Sequence, residues 1–148
     1  MKISTKGRYG LRCLVDLAVH SHGDQVAIKS IAERQEISEN YLEQVFSALR
    51  KAGIVKSIKG SQGGYILAYA PADIRVGDVI RALEGKIEVA EGSEEKNKPT
   101  SRIDQVITRH VWDEMNKQIN GIIDSITLED LINEYRRLNG ANSYMFYI

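Results

Sequence analysis

Between residues 38 and 67 the chain reads SENYLEQVFSALRKAGIVKSIKGSQGGYIL, and this run leaves few folds open. Leu42, Val45, Phe46 and Leu49 recur at i, i+3, i+4 and i+7, the spacing of one helix face. Ser38 is placed as the N-cap, Glu39 sits against the positive end of the helix, and Gly53 stops it after the basic pair Arg50–Lys51. The period then becomes alternating. Strands are predicted over 54–58 and 65–69, joined by the glycine-rich tip between them, and Pro71 ends the hairpin. A structural turn needs one or two glycines and gains nothing from flanking lysines, so the tip asks for a second, electrostatic explanation.

Two helices precede this run. Leu11, Leu14, Val15 and Ala18 share one face of a helix from Ser4 to about His20, with Cys13 and Leu17 on a neighbouring face. A shorter helix runs from Ile28 through Ile31 and Ala32 to about Gln35, and the tight connection Glu36–Ile37 follows. The order helix, helix, turn, helix, hairpin is a winged helix-turn-helix. The fold class is therefore mainly α with a small β-hairpin wing. Its second turn-linked helix can enter a major groove and present Ser38, Asn40, Tyr41, Glu43, Gln44, Ser47 and Arg50. Gln44 or Asn40 suits adenine, and Glu43 can accept from a cytosine amino group. The wing then lies on phosphates. Glycines let the backbone of Gly60, Ser61, Gln62 and Gly63 come close, while Lys56 and Lys59 supply charge without sequence information. Lys6, Arg8 and Tyr9 add contacts where the first helix would cross the backbone.

Charge supports the same half of the chain. Formal net charge is zero, but residues 1–70 hold 10 basic against 6 acidic residues and residues 71–148 hold 10 against 14. The single cysteine, Cys13, excludes an internal disulfide and a cysteine-rich metal site. No apolar run reaches the length of a membrane span and no signal-peptide core follows the N-terminus, so a cytoplasmic protein without membrane contact is expected.

The second half carries further helices. Val76, Val79, Ile80 and Leu83 mark one that ends at Gly85. The stretch EGSEEKNKP has no periodicity and reads as a mobile loop. Ser101 to Asp104 resembles a capping box opening a helix of about 20 residues. Thr127 opens a last helix carrying Leu128, Leu131, Ile132, Tyr135 and Leu138, which Asn139–Gly140 is expected to close. The expected division is a DNA-binding domain over 1–85, a loop over 86–100, and a dimerisation helix, final helix and tail over 101–148.

The segments ISTKGRYGL, SENYLEQVFSALRKAGIVKSIKGSQGGYIL, VGDVIRALEG and ITLEDLI together resemble the successive signatures of the Rrf-two family of bacterial transcription regulators, over nearly the whole chain. The resemblance implies a homodimer held by the long helix on an imperfect palindrome in double-stranded promoter DNA. Ile103, Val106, Ile107, Val111, Ile119, Ile122 and Ile123 are more apolar surface than a lone outer helix can hide, which agrees with such pairing. Iron–sulfur members of the family carry three cysteines before the long helix. Residues 87–105 contain none here, and a histidine expected three residues before Trp112 is replaced by Arg109, with His110 turned about 100° away. Neither a metal nor any other cofactor is therefore expected, and in character the chain is nearest to the family's cysteine-metabolism repressors.

Two features have two readings each. Cys13 is either a small buried hydrophobe or a redox-sensing thiol activated by Arg8 and Arg12. In the tail, Tyr144, Met145, Phe146, Tyr147 and Ile148 either fold back onto the dimer or dock a partner. The family resemblance names that partner as the cysteine-synthesising enzyme O-acetylserine thiol-lyase, which captures a terminal isoleucine. His20, His22 and His110 have no ligand-like partners and read as surface or cap residues. An enzyme is not expected, since no nucleophile–base motif, Walker loop or metal spacing is found. The competing reading to a repressor is a winged-helix module that binds protein instead of DNA.

Overall fold

The computed structural model describes residues 1–90 and 101–146, with side chains described as far as residue 140. Helices α1 (Thr5–His20), α2 (Ile28–Gln35) and α3 (Glu39–Lys51) are followed by strands β1 (Val55–Ile58) and β2 (Gly64–Leu67), and then α4 (Val76–Glu84). The stretch expected to be a mobile loop, residues 91–99, lies outside the described residues; after it come α5 (Arg102–Ile107), one π turn (Thr108–Trp112), α6 (Asp113–Ser125) and α7 (Leu128–Phe146). The fold is the expected one, mostly helical with a two-stranded antiparallel hairpin. Among the described residues no helix is long and apolar enough to cross a membrane.

One core unites the helices and the wing. Leu14 and Leu17 of α1, Ile31 of α2, and Leu42, Val45, Phe46 and Leu49 of α3 are wholly buried together with Val79 and Leu128. Each such side chain contributes about 1.5–3 kcal/mol relative to exposure, which is why the apolar face of α3 must turn inward and its polar face outward. A second cluster forms where Val76, Ile80 and Ile87 meet Ile119, Ile123, Ile126 and Leu131.

The hairpin pairs Val55 with Leu67 and Ile58 with Gly64, so β2 begins and ends earlier than the predicted 65–69. A third short segment joins it: Val26 and Tyr65 exchange main-chain hydrogen bonds of 3.0 and 2.9 Å. Pro71 opens a turn of 3-10 helix, where its missing N–H costs nothing.

Two expectations for the second half change. Helix α7 does not close at Asn139–Gly140 but runs on to Phe146. Gly140 is not among the residues with positive φ, and a glycine inside a helix costs only about 1 kcal/mol relative to alanine, too little to stop one unaided. Hence no eight-residue tail leaves the helix after Gly140. The side chains of Tyr144, Met145 and Phe146, and all of Tyr147 and Ile148, lie outside the described residues. The long helix also runs from Arg102 to Ser125 with a π turn in it, which the apolar spacing did not signal.

Candidate nucleic-acid interface

Helix α3 starts at the predicted cap: Ser38 Oγ accepts from the Tyr41 N–H at 3.2 Å. Asn40, Glu43, Gln44 and Arg50 are exposed and Ser47 is half-buried, so 40, 43, 44 and 47 form one polar stripe opposite the buried one. Tyr41 is half-buried because its ring meets that of Tyr9 edge-on, with centroids 6.5 Å apart. The Arg12 guanidinium stands over the Tyr9 ring, 4.7 Å from its centre. Tyr9 thus supports α3 from α1. Lys6 is half-buried beside it, whereas Arg8 lies with Leu11 and Val15 on a groove facing α7.

The turn between α2 and α3 is held by a group that the sequence reading did not single out. Asp16 is the buried charged residue of α1; its carboxylate accepts from Arg34 through Nε and Nη2 at 2.7–3.2 Å and from Gln35 Nε2 at 2.8 Å. His20 Nδ1 lies 2.9 Å from the Asp16 main-chain oxygen, a cap role as expected. Glu36 then takes the left-handed conformation, φ 55°, and reverses the chain into α3. An aspartate one turn after Arg12 on an apolar helix face was the available signal.

At the wing, Lys56, Lys59, Gly60, Ser61 and Gln62 are exposed and Gly63 is half-buried. Gln25 Nε2 donates to the Gln62 main-chain oxygen at 2.7 Å and fixes the tip to the loop before α2. Arg50, Lys56, Ser57, Lys59 and Tyr69 line a hollow of about 540 Å3 between the end of α3 and the hairpin, which brings the predicted cations of helix and wing together and adds Ser57 and Tyr69 to them. The glycines answer partly to the fold itself, because Gly63 and Gly64 pack against main-chain oxygens of Ile58 and Val26.

On the long helix, Ile103, Val106, Ile107, Val111 and Ile122 are exposed, as is Met115, whereas Ile119 and Ile123 pack against Val76, Ile80 and Ile87 of the same chain. Cys13 is wholly buried, and burial pushes its thiol up from 9.0 to about 11 against the opposing pull of Arg12. The buried reading of this cysteine therefore holds, and the redox sensor does not fit. Among the described residues no three His, Cys, Asp or Glu side chains are grouped to hold a metal ion.

The comparison with known proteins agrees with this geometry. The model of the Rrf2 family, described as an iron-dependent transcriptional regulator, matches residues 3–134. The transcriptional regulator CymR of Bacillus subtilis is 44% identical over 149 residues, covering all of both chains. Its solved structure, described as the global cysteine regulator, aligns with a TM-score of 0.75 at 43% identity over 90% of this chain and 98% of that one. T. potens IscR aligns with a TM-score of 0.75 at 46% identity over 99% and 97%. The relatives are transcriptional regulators, not enzymes. A winged helix-turn-helix with this core, matched along its length at these identities, belongs to the Rrf2 family of transcriptional regulators.

Proposed function

We propose that this regulator is a homodimeric, sequence-specific DNA-binding repressor that works without an iron–sulfur cluster and controls cysteine or sulfur metabolism. The observation that carries the reading is the exposed stripe Asn40, Glu43, Gln44 on α3, set beside the cations Arg50, Lys56 and Lys59 of one hollow. The stripe offers amide and carboxylate groups to base edges, and the cations meet phosphates.

A two-fold dimer is supported by α5 and α6, which contain no buried residue and expose Ile103 at 73% and Ile122 at 60%. In proteins most helical stability comes from packing an apolar face, and Ile103, Val106, Ile107 and Ile122 are left exposed within one chain. Two copies place two α3 helices on the halves of an imperfect palindrome. Operation without a cluster is supported by the chain's single cysteine, buried inside α1 with a raised thiol pKa of about 11; such ligation needs several accessible thiolates. Control of sulfur genes, and with it O-acetylserine thiol-lyase as partner, rests on the likeness to the cysteine regulator of B. subtilis.

Genomic footprinting tests the reading: protected promoters should hold imperfect palindromes next to cysteine or sulfur genes. Binding to such a promoter should weaken steeply between low and moderate salt. Salt-insensitive or absent DNA binding would leave the winged helix as a protein-binding module.

A further inference from the structure

Helix α1 begins without a local partner for its free N–H groups. Its N-cap, Ser4, makes no side-chain cap bond, and its first turn holds no acidic residue but the two cations Lys6 and Arg8. A helix start carries partial positive charge, so this composition is unfavourable by itself. The missing group comes from α4. One oxygen of Glu84, the last residue of that helix, accepts from the Ser4 N–H and the Gly7 N–H, each at 2.9 Å, and from the Ser4 hydroxyl. In a capping box two side chains of the helix start satisfy the N–H groups of these two positions; here a carboxylate 77 residues beyond Gly7 serves both. Two glycines on one face of α1 make the approach possible. A Cβ on Gly7 would strike the Glu84 carboxylate, and one on Gly10 would strike Leu83. Ile3 completes the anchor by packing with Val76, Ile80 and Ile87.

We propose that Glu84 is a positioning residue for DNA binding: it fixes the start of α1 so that Lys6 meets a phosphate beside the groove that α3 reads. The inference rests on the DNA-binding reading above. Lys6 lies three residues before Tyr9 and is its neighbour on the surface of α1, and the Tyr9 ring contacts Tyr41 in the first turn of α3. A cation there stands at the flank of the reading helix. Without Glu84 three donors lose their acceptor, the two cations face the helix dipole without a counter-charge, and the first turn frays. Lys6 must then be ordered at the moment of binding, which takes its contact out of the affinity. The sign of the effect separates this role from that of a bystander. A carboxylate that only lies near DNA repels phosphates, so its removal strengthens binding. Removal of a cap that holds a cation in place weakens it.

The test is operator binding by the intact protein, followed by fluorescence anisotropy over a series of salt concentrations. Glu84→Ala should weaken binding about tenfold and lower the salt slope by about one unit, the share of one phosphate contact. Glu84→Asp keeps the charge but is one methylene too short to reach Ser4 and Gly7, and should behave like Glu84→Ala. It carries the same comparison should the alanine variant fail to fold. Glu84→Gln keeps an accepting oxygen in place and should stay within about threefold of native affinity. Lys6→Ala should lower the slope by about one unit in the native chain and by nothing further in Glu84→Ala or Glu84→Asp, because the two residues act as one unit. A carboxylate with a purely structural role would lower stability in urea and leave the slope and the Lys6 effect as they are. Native affinity and slope in Glu84→Asp, or a Lys6→Ala effect of equal size in both backgrounds, overturns the positioning role. A native chain that binds no DNA, or binds it without salt dependence, defeats the DNA reading and the proposal with it. The two failures stay distinct, since one is read on the variants and the other on the native protein.

Discussion

A Cβ on Gly64 would stand 2.3 Å from the main-chain oxygen of Val26, so the wing meets the loop before α2 at a point where only glycine fits. The contact is main chain against main chain, and no side-chain rotation relieves it. Gly64→Ala should part the paired hydrogen bonds of Val26 and Tyr65 and lower stability by about 2–3 kcal/mol, roughly one for each bond plus strain. At Gly60, φ is 121° and nothing lies within 4 Å, so Gly60→Ala should cost only the backbone term of about 1–2 kcal/mol. Hydrogen exchange separates them: the Tyr65 amide should exchange faster in Gly64→Ala and at the native rate in Gly60→Ala.

Anchoring and reading should divide between the wing and α3. Lys56→Ala or Lys59→Ala should weaken binding to all DNA sequences about equally and reduce the salt slope by roughly one unit per lost phosphate contact. Gln44→Ala or Glu43→Ala should change the preference between operator variants, by about 1–3 kcal/mol for a lost bidentate contact. Competition binding against single-base operator variants at two salt concentrations measures both. Uniform loss on replacing Gln44 together with altered preference on replacing Lys56 would reverse the assignment.

The two kinds of isoleucine on the long helix should behave differently. Ile107 is exposed and Ile119 packs on Val76, Ile80 and Ile87. Ile107→Glu should abolish dimerisation and operator binding together while the chain stays folded. Ile119→Glu should also unfold the contact with α4 and lower stability by about 2 kcal/mol or more. Sedimentation analysis beside urea denaturation distinguishes the outcomes, and a monomeric Ile107→Glu that still bound its operator at full affinity would contradict the dimer.

Acid should release the link between α4 and α6. Arg81 Nη2 donates to both Asp124 oxygens at 2.8 and 2.7 Å, and the bond from Arg81 holds the Asp124 carboxyl below its usual value of 3.8. A lowered folded pKa stabilises the fold fully above the unfolded value and loses that contribution as pH falls through the folded one. With both side chains about a third exposed, the pair is worth roughly 0.5–1 kcal/mol. Asp124→Asn should therefore cost about that much at pH 7 and nothing once pH lies below both values, as measured by urea denaturation at each pH.

Cys13 should be chemically silent in the native state. A thiol with no exposed surface and a pKa near 11 presents almost no thiolate at neutral pH. An aromatic disulfide reagent should react only at the rate of unfolding, and reaction as fast as with a free thiol would restore a sensing role.

The sequence by itself determined the elements from α1 to α4 and their order, because each carries a strong local signal: the spacing of Leu42, Val45, Phe46 and Leu49, the cap at Ser38, and the change to alternation beyond Gly53. It also placed the exposed stripe of α3, since fixing the buried face of a helix fixes the opposite one. Tertiary structure decided what local signals leave open. Asn139–Gly140 has the composition of a helix stop, yet the helix continues, because a penalty of about 1 kcal/mol yields to whatever the flanking turns gain. The isoleucines of the long helix look alike in the sequence, and only packing against α4 separates Ile119 and Ile123 from Ile103 and Ile122. The support of α3 by Tyr9 and Tyr41 and the clasp of Asp16 by Arg34 join residues 32 and 18 positions apart. Such contacts have no period to read, because they depend on where two helices cross, and the whole core sets that crossing.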